Sequence, residues 1–370
     1  MLTTTDHGAF RMQVGPPFHF EEWPQTKGWL RFAEYSAYVR QITLPNMSDF
    51  DDVFEDMSRT RPAECSVIFP NLRVLRMDAS FDKVNPYIVE PPLVDCAFFM
   101  VSSVRELRFA ISSNDTMLTV MHRSVRHFFD SISQRMMNIR TFSMTIVQFN
   151  GFSPTFKELL VQTLACLKSL EHVYLPLRII IGKVITSLSS LPQLQEIHSI
   201  YRGLSWESSS QSIASEFKPV LKDDESFTSL KTFSCCGCPS VINKYLLSNP
   251  MFPGMQISGI QIQVLTQRYR NGKLEPLHEL MKAIAENCPN IEEFSVSESK
   301  RSDTSRDMVF SFSAIRPIFK CRYLTSLTIR FRSVLTWTAV DFMEFAASLP
   351  SARTLMLHFS HPLPGLLLAV

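Results

Sequence analysis

Glycine is scarce in this 370-residue chain, with 11 residues against 22 prolines. That excludes collagen-like and glycine-linked architectures and leaves few sites for tight left-handed turns. Charge bias is absent too. Lysine and arginine number 37 against 35 acidic residues. No basic run stands out, so no linear footprint for nucleic acid or an anionic membrane is present; only a patch assembled in three dimensions could supply one. No apolar run reaches the roughly 18 residues that span a bilayer. The carboxyl end, Leu366-Leu367-Leu368-Ala369-Val370, is too short to anchor the chain. The start, Met1 to His7, has neither the charged nor the apolar stretch of a secretory leader, which predicts an intracellular protein.

Familiar chemistry is missing as well. The sequence contains no P-loop, dinucleotide glycine fingerprint, G-x-S-x-G elbow or H-E-x-x-H pair, so we expect no catalytic residues and no cofactor. Of eight cysteines, only Cys235, Cys236 and Cys238 cluster. Structural zinc needs four ligands, usually as two separated pairs, and no second pair follows, so no metal is expected. His122 and His127 lie five apart and would not share a helix face as an i, i+4 ligand pair does. The remaining cysteines read as small buried hydrophobes.

What the chain does have is one recurring phrase: apolar, two residues, apolar, one residue, apolar. It reads Leu72-Leu75-Met77, Val104-Leu107-Phe109, Ile139-Phe142-Met144, Leu170-Val173-Leu175, Leu230-Phe233-Cys235, Ile291-Phe294-Val296 and Leu324-Leu327-Ile329. Weaker copies begin at Val39, Leu194, Ile257 and Ala352, making eleven copies at steps of 24 to 36 residues. A period in that range marks a stacked architecture, and the phrase resembles the core of a leucine-rich repeat. Between copies, Val125-Phe128-Phe129-Ile132, Ile181-Val184-Ile185-Leu188, Leu277-Leu280-Met281-Ile284 and Phe342-Phe345-Ala346-Leu349 are spaced i, i+3, i+4, i+7, as amphipathic helices require. Pro70, Pro192, Pro289 and Pro350 precede strand phrases, where proline ends a helix and launches an extended segment.

The predicted fold is therefore α/β: one leucine-rich-repeat solenoid, or horseshoe, with parallel strands on the concave face and helices on the convex face. Residues 1–28 form an irregular amino-terminal segment and residues 29–370 about eleven irregular repeats. The polar stretches Ser205–Ser226 and Ser297–Asp307 read as solvated loops. Strand alternation turns the residues between and after the last two apolar positions toward the concavity. The candidate partner-binding residues are Arg76, Asp78, Glu106, Arg108, His172, Tyr174, His198, Glu293, Arg330, Arg332 and His358. Taken singly, each also suits the wet side of a half-buried sheet; the face as a whole is the candidate surface.

The entry segment Trp29-Leu-Arg-Phe32-Ala-Glu-Tyr35-Ser-Ala-Tyr38-Val39-Arg40-Gln-Ile42-Thr-Leu44, followed by Phe69-Pro-Asn-Leu-Arg-Val-Leu75, resembles that of fungal F-box proteins of the leucine-rich-repeat type. The resemblance implies a non-enzymatic substrate receptor of a Skp/cullin/F-box ubiquitin ligase, binding an unidentified protein, with no nucleic acid or membrane partner. An F-box of some forty residues would precede Trp29 in that family. Residues 1–28 are too few, and Gly15-Pro16-Pro17 and Trp23-Pro24 oppose a helical bundle, so a Skp-type adaptor is expected only if an F-box lies upstream. Two alternatives stand beside it: a scaffold with no ubiquitin role, and a small-GTPase regulator.

Overall fold

The computed structural model describes residues 26–44, 57, 59–65, 67–80, 99–112, 122–146, 154–176, 180, 183–200, 226–237, 239–243, 247, 254–264, 275–298 and 309–361. Cys96, Cys238, Ile181, the stretch 205–225 and residues 299–307 lie outside them, as do the side chains of Asp78, His122, Cys236 and Arg332.

The phrase becomes a strand because its last two apolar positions fall on one face of an extended chain. Leu75 and Met77, Leu107 and Phe109, Phe142 and Met144, and Leu327 and Ile329 all point inward and are buried. The strands are β1 (Gln41–Leu44), β2 (Val74–Ser80), β3 (Glu106–Ser112), β4 (Thr141–Ile146), β5 (His172–Pro176), β6 (Glu196–Ile200), β7 (Thr232–Gly237), β8 (Gly259–Val264), β9 (Glu293–Glu298), β10 (Val309–Phe310), β11 (Ser326–Leu335) and β12 (Thr354–His361). They make one twelve-stranded sheet with every pairing parallel. The eleven phrase strands follow sequence order, as the periodicity predicts.

The addition is β10, which pairs with Val334 and Leu335 at the far end of β11. Two residues are too few to show a period. Aromatic packing holds the strand instead: the Phe310 ring centroid lies 4.5 Å from that of Phe331 and 5.4 Å from that of Phe359. Trp337, also buried, meets the rings of Phe312, Phe342 and Phe345 beside it.

At each strand entry one carbonyl accepts two amides from the next repeat. Arg40 O takes the N–H of Arg73 and Val74 at 2.7 and 3.0 Å, and Arg73 O takes those of Arg105 and Glu106 at 2.8 and 3.0 Å. The pattern continues at Arg105, Arg140, Glu171, Gln195, Lys231, Ser258, Glu292 and Thr325. Asparagine just before the phrase adds a side-chain link: Asn71 Nδ2 donates to Ala37 O at 2.9 Å, and Asn138 Nδ2 to Ser102 O at 3.1 Å. Each repeat is thus tied to its neighbour at one fixed register.

The helices are α1 (Thr26–Ser36), α2 (His122–Arg135), α3 (Pro154–Cys166), α4 (Lys183–Ser189), α5 (Pro239–Ile242), α6 (Glu275–Asn287) and α7 (Ala339–Ser348). Consecutive ones pack together, α2 on α3, α3 on α4, and α5 on α6; 3₁₀ turns, among them Arg316–Lys320 between α6 and α7, fill other positions. Packed helices stand about 8–10 Å apart and strands about 4.8 Å, so stacking curves the sheet with its strands inside. Val125, Phe128, Phe129 and Ile132 of α2 and Leu277, Leu280, Met281 and Ile284 of α6 are buried as their spacing requires.

Four details differ from the sequence reading, the first being Cys166, read as buried but exposed at the end of α3. Helix α1 begins at Thr26, inside the segment expected to be irregular, and buries Trp29, whose ring meets Phe32 edge-on at 5.7 Å. Ala346 and Ala352, expected inside, are exposed. Leu355, also expected inside, is 49% exposed. Ala346 lies on α7 and Ala352 and Leu355 at the strand phrase after it, where no further described repeat packs over them.

Candidate functional site

The strand face carries two separate polar groups. The larger spans β2 to β6, where parallel pairing in register sets Arg76 beside Arg108, Glu106 beside Thr141, His172 beside Glu196, and Tyr174 beside His198. Glu106 Oε1 lies 2.7 Å from Arg108 Nε and 3.4 Å from Arg76 Nη2, so one carboxylate oxygen serves two guanidinium groups. Arg76 Nε is buried without a hydrogen-bond partner.

Three strands away, Glu196 Oε2 accepts from His198 Nε2 at 3.1 Å. The same oxygen lies 3.1 Å from His172 Nδ1, which is too poorly aligned for a hydrogen bond and is buried without one. Partial burial pushes the Glu196 carboxyl up, but the His198 hydrogen bond and the nearby His172 outweigh it and hold the group below its usual value. The Tyr174 ring stacks on His198, centroids 4.7 Å apart and planes 7° off parallel. Burial, reinforced by the Glu196 charge and opposed by Arg108, raises the Tyr174 phenol, which stays neutral and able to donate.

Between these groups lies a cleft of about 490 Å³ lined by Thr43, Leu44, Arg76, Met77, Arg108, Phe109, Ala110, Ser143, Thr145, Tyr174 and Ile200. It has apolar walls and a few convergent polar groups, the usual composition of a ligand pocket. Its two charged side chains are both cations. Asp78 sits in register with Ala110 at its border.

The smaller group lies on β9, β11 and β12. Arg330 pairs in register with Ser297 and His358, and its Nη2 reaches Met356 Sδ at 2.9 Å. Glu293 lies opposite Gly259 and Ser326. Arg332 belongs to β11. The fold therefore gathers Arg76, Glu106, Arg108, His172, Tyr174 and His198 around one region and leaves Glu293, Arg330 and His358 in another.

Two features escaped the site reading of the sequence. Glu196 lies on the strand face, and its role as the hub between two histidines depends on His172 and Glu196, 24 residues apart in sequence, meeting across one strand pair. The second is a column of arginines at the strand entries. Arg40, Arg73, Arg105 and Arg140 each immediately follow the first apolar residue of a phrase, and the carbonyl ladder stacks them on one edge of β1 to β4. Arg40, Arg73 and Arg105 donate to the carbonyls of Ala37, Ser103 and Asn138 at 2.8, 3.3 and 2.9 Å, and Arg140 reaches Glu171 at 3.4 Å. Reading each phrase position down the repeats, instead of searching for linear runs, would have exposed this column.

Among the described residues, no group of three or more His, Cys, Asp or Glu side chains is arranged to hold a metal ion. Burial raises the Cys288 thiol to about 12 and the Cys321 thiol to about 11, which keeps both protonated and unreactive. Among the described residues, no helix is long and apolar enough to cross a membrane.

No family model matches the chain, and no curated protein does. Among solved structures, a chain from the Toll–Spätzle complex of Drosophila, described as a molecular hub in development and innate immunity, is similar at 9% identity and a TM-score of 0.17. The match covers 87% of this chain and 54% of that one, so this chain spans about half that length. A superposition that poor carries no argument. The solenoid assignment rests on the parallel ladder and the repeating buried phrase.

Proposed function

We propose that this protein is a non-catalytic, intracellular recognition solenoid whose strand face selects a partner protein, in the manner of the substrate receptor of a Skp/cullin/F-box ubiquitin ligase. One observation carries the recognition role: the parallel strand face presents two groups of polar side chains, the larger with a cleft between Arg76, Arg108 and Tyr174, on rigid elements fixed by the carbonyl ladder. Rigid presentation lowers the ordering cost of binding. The ubiquitin-ligase role is the finer part, and the entry segment Trp29–Leu44 with Phe69–Leu75 supports it by resemblance.

Affinity purification with quantitative mass spectrometry tests both levels. The chain carrying Arg108→Glu, Tyr174→Ala and Arg330→Glu together should lose its specific partners, while Lys282→Glu with Glu286→Lys, exposed on α6, should keep them. Equal partner sets from both variants would remove the strand face as the binding surface. A partner set without a Skp-type adaptor or cullin, obtained from the endogenous full-length protein, would return the reading to a stand-alone scaffold.

A further inference from the structure

We infer that the cleft on β1 to β6 and the arginine column beside it form a docking site for an acidic segment of the partner, one that pairs a carboxylate or phosphate with an adjoining apolar side chain. This rests on the partner-recognition reading and names the chemistry of the partner at that site. Six arginines, Arg40, Arg73, Arg76, Arg105, Arg108 and Arg140, converge on the entry edge and strand face of four adjacent strands. The described carboxylates that pair with them are Glu106, shared by Arg76 and Arg108, and Glu171, which pairs with Arg140. Among the described residues, six guanidinium groups thus face two carboxylates over a row about 14 Å long, taking about 4.8 Å per strand.

Three details set the chemistry. Arg76 Nε is buried beside the cleft with no acceptor, and a desolvated guanidinium N–H is costly until an anion meets it. Tyr174, kept neutral, offers a second donor on the same cleft. Ile200 and the half-buried Leu44 supply an apolar rim that a bare anion would not use. Protein segments match that mixture better than nucleic acid does. A polynucleotide places a charge at every residue and needs a long cationic track, whereas here the column ends after four strands: Glu171 takes the next position and Glu196 stands on the face beyond it.

The test uses fluorescein-labelled degenerate peptides in three pools, each with a central leucine flanked by two glutamates, two phosphoserines or two glutamines, together with a labelled single-stranded oligonucleotide. Binding is read by fluorescence anisotropy on the full chain. The glutamate pool, the phosphoserine pool or both should bind at least about tenfold tighter than the glutamine pool, and the tighter of the two identifies the anion. Arg76→Gln and Arg108→Gln should each lose about tenfold on that pool, Arg76→Lys and Arg108→Lys should recover part of it, and Lys282→Gln, exposed on α6, should change nothing. Both replaced side chains are about half exposed, so thermal melts should be unaltered. Equal binding of all three pools, or insensitivity to both glutamine variants, overturns the acidic-segment inference and leaves partner recognition intact. Tighter binding of the oligonucleotide than of any peptide overturns it in favour of a nucleic acid. No binding by any pool overturns it as well, and partner recognition is then decided by the affinity purification alone.

Discussion

Leu107 and Leu327 are fully buried at equivalent positions in β3 and β11, each flanked in register by an apolar residue on either side: Leu75 and Phe142 for the first, Phe294 and Leu355 for the second. Truncating either to alanine leaves a cavity between stacked repeats, and we expect a loss of about 2–5 kcal/mol in denaturant melts. Leu327→Ala should fall toward the lower end, because its neighbour Leu355 is half exposed and can settle into the space. Inward positions like these were legible in the sequence, since alternation assigns a face to every strand residue. What each outward residue touches was not legible, because that depends on register between segments tens of residues apart. Glu196 shows the difference, and its lowered carboxyl has a pH consequence. A carboxyl held below its unfolded value contributes stability that is present above the unfolded value, near 4.5, and lost as pH falls through the folded one. Glu196→Gln should therefore lower the melting temperature at neutral pH and converge on the unsubstituted protein as pH falls below about 4.5, which flattens the acid limb. An acid limb identical in both proteins would mean that the histidine contacts do not hold the carboxyl down in solution.

Elements were legible where their period was long enough to count. Helices α2 and α6 carry full i, i+3, i+4, i+7 sets, and both formed around those residues. Strand β10 has two residues and no period, so tertiary aromatic packing, which no local pattern encodes, decides its place. Helix α7 falls between these cases: its apolar set was read correctly for Phe345 and Leu349 but not for Ala346. Local capping compensates for the thin packing there. Thr338 Oγ1 accepts from the Asp341 N–H at 3.2 Å, and the Asp341 carboxylate accepts from the Thr338 N–H at 2.7 Å. That backbone bond and a second from the Thr338 hydroxyl, at 2.8 Å, hold the Asp341 carboxyl below its ordinary value. Thr338→Ala should cost about 1 kcal/mol. Because a solenoid passes stability only to adjacent repeats, hydrogen exchange should rise mainly in α7 and β12 and leave β3 to β6 unchanged. Faster exchange throughout would show that the cap supports the whole sheet.

At the scale of the molecule, the same property makes the strand ladder a stability gradient. Every described repeat bonds only to the repeats before and after it, through the doubled carbonyl acceptors and the parallel register. In such a one-dimensional array, total stability approximates the sum of repeat terms and interface terms. Interior strands have two such interfaces and terminal ones have one. The burial follows: Phe142 and Val173 in the middle are fully covered, while Ile42 in β1 is half-buried and Leu355 and Met356 in β12 are 49% and 43% exposed. Native-state hydrogen exchange should therefore show the slowest amides in β3 to β6 and progressively faster ones toward β1 and β12, with opening free energies falling in steps of whole repeats. The Glu196 hub, Arg105, Arg108 and Arg140 lie in that protected block, whereas Arg40 and the β1 border of the proposed docking surface lie at its faster-opening end. Protection of one common value from β1 to β12 would mean a single cooperative unit, and local substitutions such as Leu107→Ala would then destabilise distant strands as strongly as near ones.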